Sequence, residues 1–394
     1  MIERSSGAVA AAIGFSFAFV LLTCAVNGPQ ALAQSGPASM GQSAQAPVTK
    51  TAAEAYKNIK VLKDIPANEL IPTMEFISAS LGVRCDFCHV EHHFDEDTKK
   101  PKQRAREMMQ MMFAINKDNF HGNLEVTCNT CHNGSEHPAG LPAIAEADET
   151  PMSPAHSEEQ AGRTNFASLP QPPAIVAKYV EALGGADALG KIKSRVITGT
   201  MTAFGHATPV EIYAKAPDLR ALVMNSPRGL SVTTFNGHEG WVSMMPRPPH
   251  PLEGSELDRA SLEGDFYFPL DIQKIFGSLR ERPPQKVGDE QAYVVLGIRP
   301  GKPPVQLFFS EQSGLLLRMI YFTQTALGRL PQQTDFSDYR EVDGVKVPFQ
   351  WTVAEPRSRS TIQVAQVQQN VPISDSKFSI PAAPSPGAPS PAGQ

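Results

Sequence analysis

The chain has little of what several function classes require. Its net charge is only −5 over 394 residues, so the basic excess that binds nucleic acid is missing. No Ser/His/Asp order, phosphate-binding glycine loop or clustered carboxylate pair stands out, which leaves the commonest hydrolytic and nucleotide-dependent chemistries without residues to carry them. Cysteine is scarce, five residues in all, and its placement is correspondingly informative. The length suits about two domains, and a hydrophobic content of 41% is enough for ordinary cores.

The N-terminus reads as an export signal. Arg4 precedes an apolar run from Ala8 to Val26, and Ala31-Leu32-Ala33 before Gln34 predicts cleavage after Ala33. Cys24 stands where a lipidated cysteine would, but Leu21-Leu22-Thr23 lacks the small residue usual before one. An uncleaved anchor is the other alternative, because the run nearly reaches bilayer-spanning length. Each version puts the rest of the chain outside the cytoplasm, in the periplasm, free or held at the membrane.

The remaining cysteines form two C-x-x-C pairs, Cys85 with Cys88 and Cys128 with Cys131. Exported pairs suggest disulfides, and the count also satisfies a tetrahedral zinc site. The next residue argues against both: His89 and His132 turn each pair into C-x-x-C-H, the attachment signature of c-type haem. Two thiols three positions apart reach the two vinyl groups of one porphyrin, and the adjacent histidine supplies the proximal ligand. A zinc site needs no histidine there. Two covalent haems c are expected.

A helix precedes each motif. Over 67–83, Pro72 falls in the first turn and Gly82 at the end, with Leu70, Met74, Ile77 and Leu81 on one face. Met74 is core filler or the distal ligand of the first iron; an iron lacking a sixth ligand next door favours ligation. The second helix runs from Pro101 to about Asn116, behind the acids Asp95, Glu96 and Asp97, and carries Met108, Met111 and Met112. Histidine ligation through His92, His93, His121 or His137 is the alternative for either haem. The bases Lys99, Lys100, Lys102, Arg104 and Arg106 read as a solvated helix face. Their functional reading is partner steering, or pairing of Arg104 or Arg106 with haem propionates.

YKNIKVLKDIPANELIPTMEFISASLGVRCDFCHV, KKPKQRAREMMQMMFAINKDNF and VTCNTCHNG together resemble the cytochrome c subunit family of photosynthetic reaction centres. The likeness is greatest to two-haem versions from non-photosynthetic bacteria and covers about residues 54–135. It implies Met74 as distal ligand of the first haem and Met108 for the second, with Met111 in reserve. The reaction-centre subunit has four haems and this chain only two motifs, so photosynthesis is not implied; electron carrying is.

The chain is expected to divide into a signal (1–33), a disordered stretch (34–52), a dihaem cytochrome domain (53–137), a linker (138–172), an antiparallel β domain (173–381) and a Pro-rich disordered tail (382–394). The β domain opens with an amphipathic helix, IVAKYVEALGGADAL, then alternates with period two in RVITGTMTAF and eight further runs. Asp343-Gly344 signals a hairpin, and LDIQKIFGSL a helix lying on the sheet. The fold class is therefore α+β: a small helical cytochrome domain joined to a curved antiparallel sheet or half-barrel with one or two helices. GHEGW, DGVKVPF and FSIP weakly resemble the outer-membrane lipoprotein carrier type of fold, a curved sheet about an apolar cavity. His206, His238 and His250 read as surface histidines.

These features make an exported electron carrier, non-catalytic, working between redox proteins of the envelope without nucleic acid. The alternatives are a haem oxidoreductase with one open iron, or a binder of lipid or another hydrophobic ligand with redox-sensing haems. Oligomeric state is left open.

Overall fold

The computed structural model describes residues 50–138, 169–226, 229–244, 247–356 and 358–380. The expected signal, its cleavage site, Cys24, most of the linker and the tail lie outside them. Among the described residues no helix is long and apolar enough to cross a membrane.

The N-terminal part is helical. Thr51 and Ala52, expected ahead of the cytochrome segment, are part of it. The Thr51 side chain and Glu54 cap each other's backbone at the start of α1, Ala52–Ala55, and Ala52 is fully buried. Helix α2 spans Leu70–Leu81 after a single tight turn, and stops at Gly82, whose φ of 66° is the left-handed cap expected of glycine. Three more helices follow: α3, Cys85–Cys88; α4, Lys100–Asn119; and α5, Cys128–His132. Each C-x-x-C pair is thus one helical turn, which puts its two thiols on the same side.

Helix α2 is buried on two sides, where the sequence pattern offers one. Leu70 and Ile77, with Met74 and Leu81 partly covered, join Leu62, Met109 and Met112 in the N-terminal core. Thr73, Phe76 and Ser80 are buried as well.

The C-terminal part begins with α6, Pro172–Ala182, and α7, Ala186–Lys191. The sequence pattern reads these as one helix; Gly184 and Gly185, at φ of 122° and 88°, break it. Six strands follow, β1 Ser194–Ala203, β2 His206–Lys215, β3 Leu219–Ser226, β4 Gly229–Asn236, β5 Gly240–Met244 and β6 His250–Pro251. Helices α8, Gly254–Gly264, and α9, Phe268–Ile275, cross to the far edge. The chain then returns through β7 Ser278–Val287, β8 Glu290–Ile298, β9 Val305–Ser310, β10 Leu316–Thr325, β11 Gly328–Val342, β12 Val345–Glu355 and β13 Ser358–Gln369.

All thirteen strands form one antiparallel sheet in the order 6-5-4-3-2-1-13-12-11-10-9-8-7. Every neighbour is also a sequence neighbour except β1 and β13, the first and last. Residues of α6, α8 and α9 (Ile175, Tyr179, Leu262, Ile272) pack with Val295, Leu307 and Phe309 of the sheet in the largest core cluster. The α+β expectation is borne out, with four helices beside the sheet rather than one or two. Asp343 and Gly344 turn between the paired Val342 and Val345, both at positive φ, as the Asp-Gly signal predicts.

The two parts touch directly. Leu327, at the tip of the β10–β11 hairpin, is fully buried in the N-terminal core. Gly328 follows it, and a Cβ there would overlap the ring of Phe76. The tip is stitched by Thr325, whose hydroxyl donates to the Gly328 carbonyl (2.8 Å) and accepts from the Leu327 amide (3.2 Å).

Candidate haem site

The first motif lies at the mouth of an apolar cleft between α2 and α4. Met74, Leu70 and Ile77 stand on the α2 wall, Met109 and Ala105 on the α4 wall, and Cys85, Cys88 and His89 at one edge. The structure therefore gathers Met74, the two cysteines and His89 into one cleft. His89 Nδ1 lies 3.0 Å from the Phe94 carbonyl oxygen, a bond in which the ring N–H must donate. That fixes the tautomer and leaves the Nε2 lone pair for a metal. Burial lowers the pKa of His89, and the positive charges of Lys102, Arg106 and Lys99 add to this against the Phe94 bond, so the ring stays neutral at pH 7.

The second motif repeats the device. His132 Nδ1 lies 3.0 Å from the Ser135 carbonyl oxygen, which again frees Nε2. The two motifs converge on the end of α2. The Gly134 amide donates to the Ser80 carbonyl (2.8 Å), and a Cβ on Gly82 would overlap the Gly134 carbonyl oxygen. Cys128 packs against the same core that contains Met109 and Met112.

Zinc is a poor fit for these residues. Among the described residues no three His, Cys, Asp or Glu side chains gather at a metal-sized site, and all four cysteines are free thiols. Burial raises the Cys88 thiol and pushes that of Cys128 up to about 11, which opposes the thiolate that zinc needs. A haem, whose thioethers carry no charge, suits such buried sulfurs, and the apolar cleft and free Nε2 atoms fit the same group.

The other candidates lie elsewhere. Met108 is half-buried and Met111 exposed; the α4 methionine in the first cleft is Met109. His92, His93, His121 and His137 are all exposed, as are His206, His238 and His250.

Two residues that carry the site escaped the sequence reading. Lys102, taken with its neighbours as solvated, is only 8% exposed. Its ammonium donates to the carbonyls of Phe94 (2.9 Å) and Glu96 (2.7 Å) and lies 3.1 Å from Asp97. It thus grips the same carbonyl that orients His89. Asp97 also pairs with Lys60 (2.7 Å) and Arg106 (2.9 Å), and these partners, led by Arg106, hold its carboxyl far below the usual carboxylate range. Asn116 is the second. Its side chain accepts from the Glu125 and Val126 amides (3.0 and 2.9 Å) and donates to the Val126 carbonyl (2.7 Å), so α4 holds the strand of chain that leads into Cys128. A run of acids followed by bases, and a helix end near Asn116, were the only sequence signals, and neither says which way a side chain turns.

Two C-x-x-C-H turns on a helical scaffold are the arrangement by which c-type cytochromes hold haem through cysteine thioethers. Residues 26–209 match the family described as photosynthetic reaction centre cytochrome C subunit, which bears out the resemblance stated from the motifs. Over 91 residues the chain is 34% identical to the photosynthetic reaction center cytochrome c subunit of Thermochromatium tepidum, a stretch that covers 22% of each chain. Over 85 residues it is 33% identical to cytochrome c-554 of Chloroflexus aurantiacus, covering 20% of each. The chain thus matches about a fifth of the length of these relatives. Among solved structures, a DUF1329 family protein from Desulfovibrio piger is similar at 14% identity and a TM-score of 0.39, over 52% of this chain and 96% of that one. A LolA superfamily protein from Nitrosomonas europaea is similar at 14% identity and a TM-score of 0.37, over 54% and 98%.

Proposed function

We propose that this protein is an exported dihaem cytochrome c that carries electrons between redox partners of the envelope. The observation that carries the reading is the paired orientation of His89 and His132, each with Nδ1 committed to a backbone carbonyl, together with Met74 in the cleft of the first motif. Cys85 and Cys88 would hold one haem and Cys128 and Cys131 the other, with His89 and His132 as proximal ligands. Met74 is the distal ligand of the first and Met108 of the second, with Met111 in reserve. Bound haem c supplies reversible one-electron chemistry, and methionine ligation raises its potential. The chain's own part is to fix the histidine tautomers, keep water from the first cleft with Leu70, Ile77 and Met109, and hold the two motifs together at the end of α2.

The ferric spectrum tests this. The near-infrared thioether-to-iron band should be present in the wild type, lose about half its intensity in Met74→Ala and the rest when Met108→Ala is added. Intact mass should exceed that of the apo chain by two haems. A wild type without the band turns the reading toward histidine ligation. A high-spin haem that binds cyanide at once turns it toward an oxidoreductase with an open site.

A further inference from the structure

Behind α2, on the side away from the first cleft, lies a second and larger cavity of about 620 Å³, within the roughly 300–1,000 Å³ of ligand sites. Its roof is the first motif, where Cys85 and His89 line it. Its floor is the sheet, where Tyr321 and Leu330 of the β10–β11 hairpin face it. Glu75 on α2, Glu256 on α8 and Glu355 at the end of β12 line it too.

Three properties narrow the occupant. Arg84, Arg259 and Arg299 also line the cavity, but each pairs with an acid, Asp86 (3.5 Å), Glu263 (3.9 Å) and Asp258 (2.6 Å), whereas Glu75, Glu256 and Glu355 have no basic partner in a salt bridge among the described residues and Glu355 accepts from the Ser358 hydroxyl (2.8 Å). Carboxylates outnumber guanidinium groups in the lining, which favours a group that gives up protons over an anion. On the opposite wall Tyr321 has no hydrogen-bond partner among the described residues, and burial, with the Glu263 charge next, raises its hydroxyl so that it stays a donor. Among the charged and polar groups the lining also offers apolar and aromatic surface, with Phe94, Phe322, Leu330 and Pro331. The occupant thus presents an oxygen that accepts from a phenol, hydroxyls that donate to carboxylates, and a flat apolar body.

We propose that this cavity is a binding site for a quinol, a small dihydroxyaromatic reductant that feeds the cytochrome. The proposal rests on the electron-carrier reading and names its donor class. Oxidation of the quinol to the quinone breaks two O–H bonds and releases two protons and two electrons. Glu256 and Glu355 would accept the two protons, and two ferric haems held by the two motifs, each taking one electron, would be the oxidant. Cys85 and His89 in the roof make the first haem the point of entry.

Two measurements on the oxidised holoprotein test it. Equilibrium dialysis with duroquinone should give one site per chain, weakened about fivefold in Tyr321→Phe by loss of one hydrogen bond. In stopped-flow mixing with duroquinol, the rise of the reduced α-band should saturate with quinol concentration. The plateau should fall at least about tenfold in the Glu256→Gln/Glu355→Gln double variant. Thermal melts matching wild type would show that these conservative variants fold. A rate linear in quinol and unchanged in both variants, with no bound duroquinone, overturns the proposal. Saturable binding of tyramine in place of duroquinone overturns it in favour of an organic cation. Dialysis reads the cavity whatever the haems do, while a missing α-band under dithionite counts against the haem assignment alone.

Discussion

Lys102 shows how a side chain outside the C-x-x-C-H motif can decide where the motif's histidine points. Its ammonium and the His89 ring share the Phe94 carbonyl, so the loop 94–97 is anchored from both sides. Lys102→Met leaves the Phe94 carbonyl with only the His89 bond and the Glu96 carbonyl without its lysine donor, and is expected to cost about 3 kcal/mol in chemical denaturation. Asp97 gives a prediction in pH. Its native pKa lies below the unfolded value of about 3.9, so its contribution to stability is complete above that pH and is lost as pH falls toward the native value. The difference in Tm between wild type and Asp97→Asn should be constant from pH 7 to about 5 and shrink below about 4. A difference that grew in acid would contradict the assignment. The two candidate sites were legible in the sequence because C-x-x-C-H is a local pattern written in five consecutive residues. Lys102 was not, because only the carbonyls that tertiary folding brings to it make burial of an ammonium affordable.

Among elements, period and punctuation located most of the fold. Helix α2 stops where Gly82 said it would, and nine alternating runs became strands β1–β5, β8–β10 and β13. Strand β7 was missed because Pro283 and Pro284 interrupt it. Its place at the sheet's edge explains why they are tolerated, since an outward N–H needs no partner, and the register shifts between Arg282 and Gln285. Helix α8 was missed because only Leu262 and Gly264 of its eleven residues are buried, too few to show a period. The contact between α2 and α5 can be isolated with two glycines of similar backbone. Gly82 and Gly122 both have positive φ, 66° and 81°, but only at Gly82 would a Cβ meet the backbone of Gly134. Gly122→Ala should show the conformational cost alone, about 1 kcal/mol, and Gly82→Ala clearly more in urea titration. Equal losses would mean that the close approach of the two motifs adds nothing.

At the scale of the molecule, the cytochrome core is completed by a residue of the sheet. Leu327→Ala is expected to cost about 3 kcal/mol, and amide exchange should quicken in α2 although the substitution lies in the β10–β11 hairpin. Exchange confined to the hairpin would show that the two parts are energetically separate. No period or motif announced this contact, because its partners, Phe76 and Gly328, are separated by most of the chain and meet only through the path of the sheet. That separation has a consequence for biogenesis. A ribosome delivers Cys85 and Cys128 long before it delivers Leu327, and the first strand must wait for the last before the sheet is joined through β1 and β13. Until the sheet closes, the N-terminal core therefore stands without the leucine that completes it.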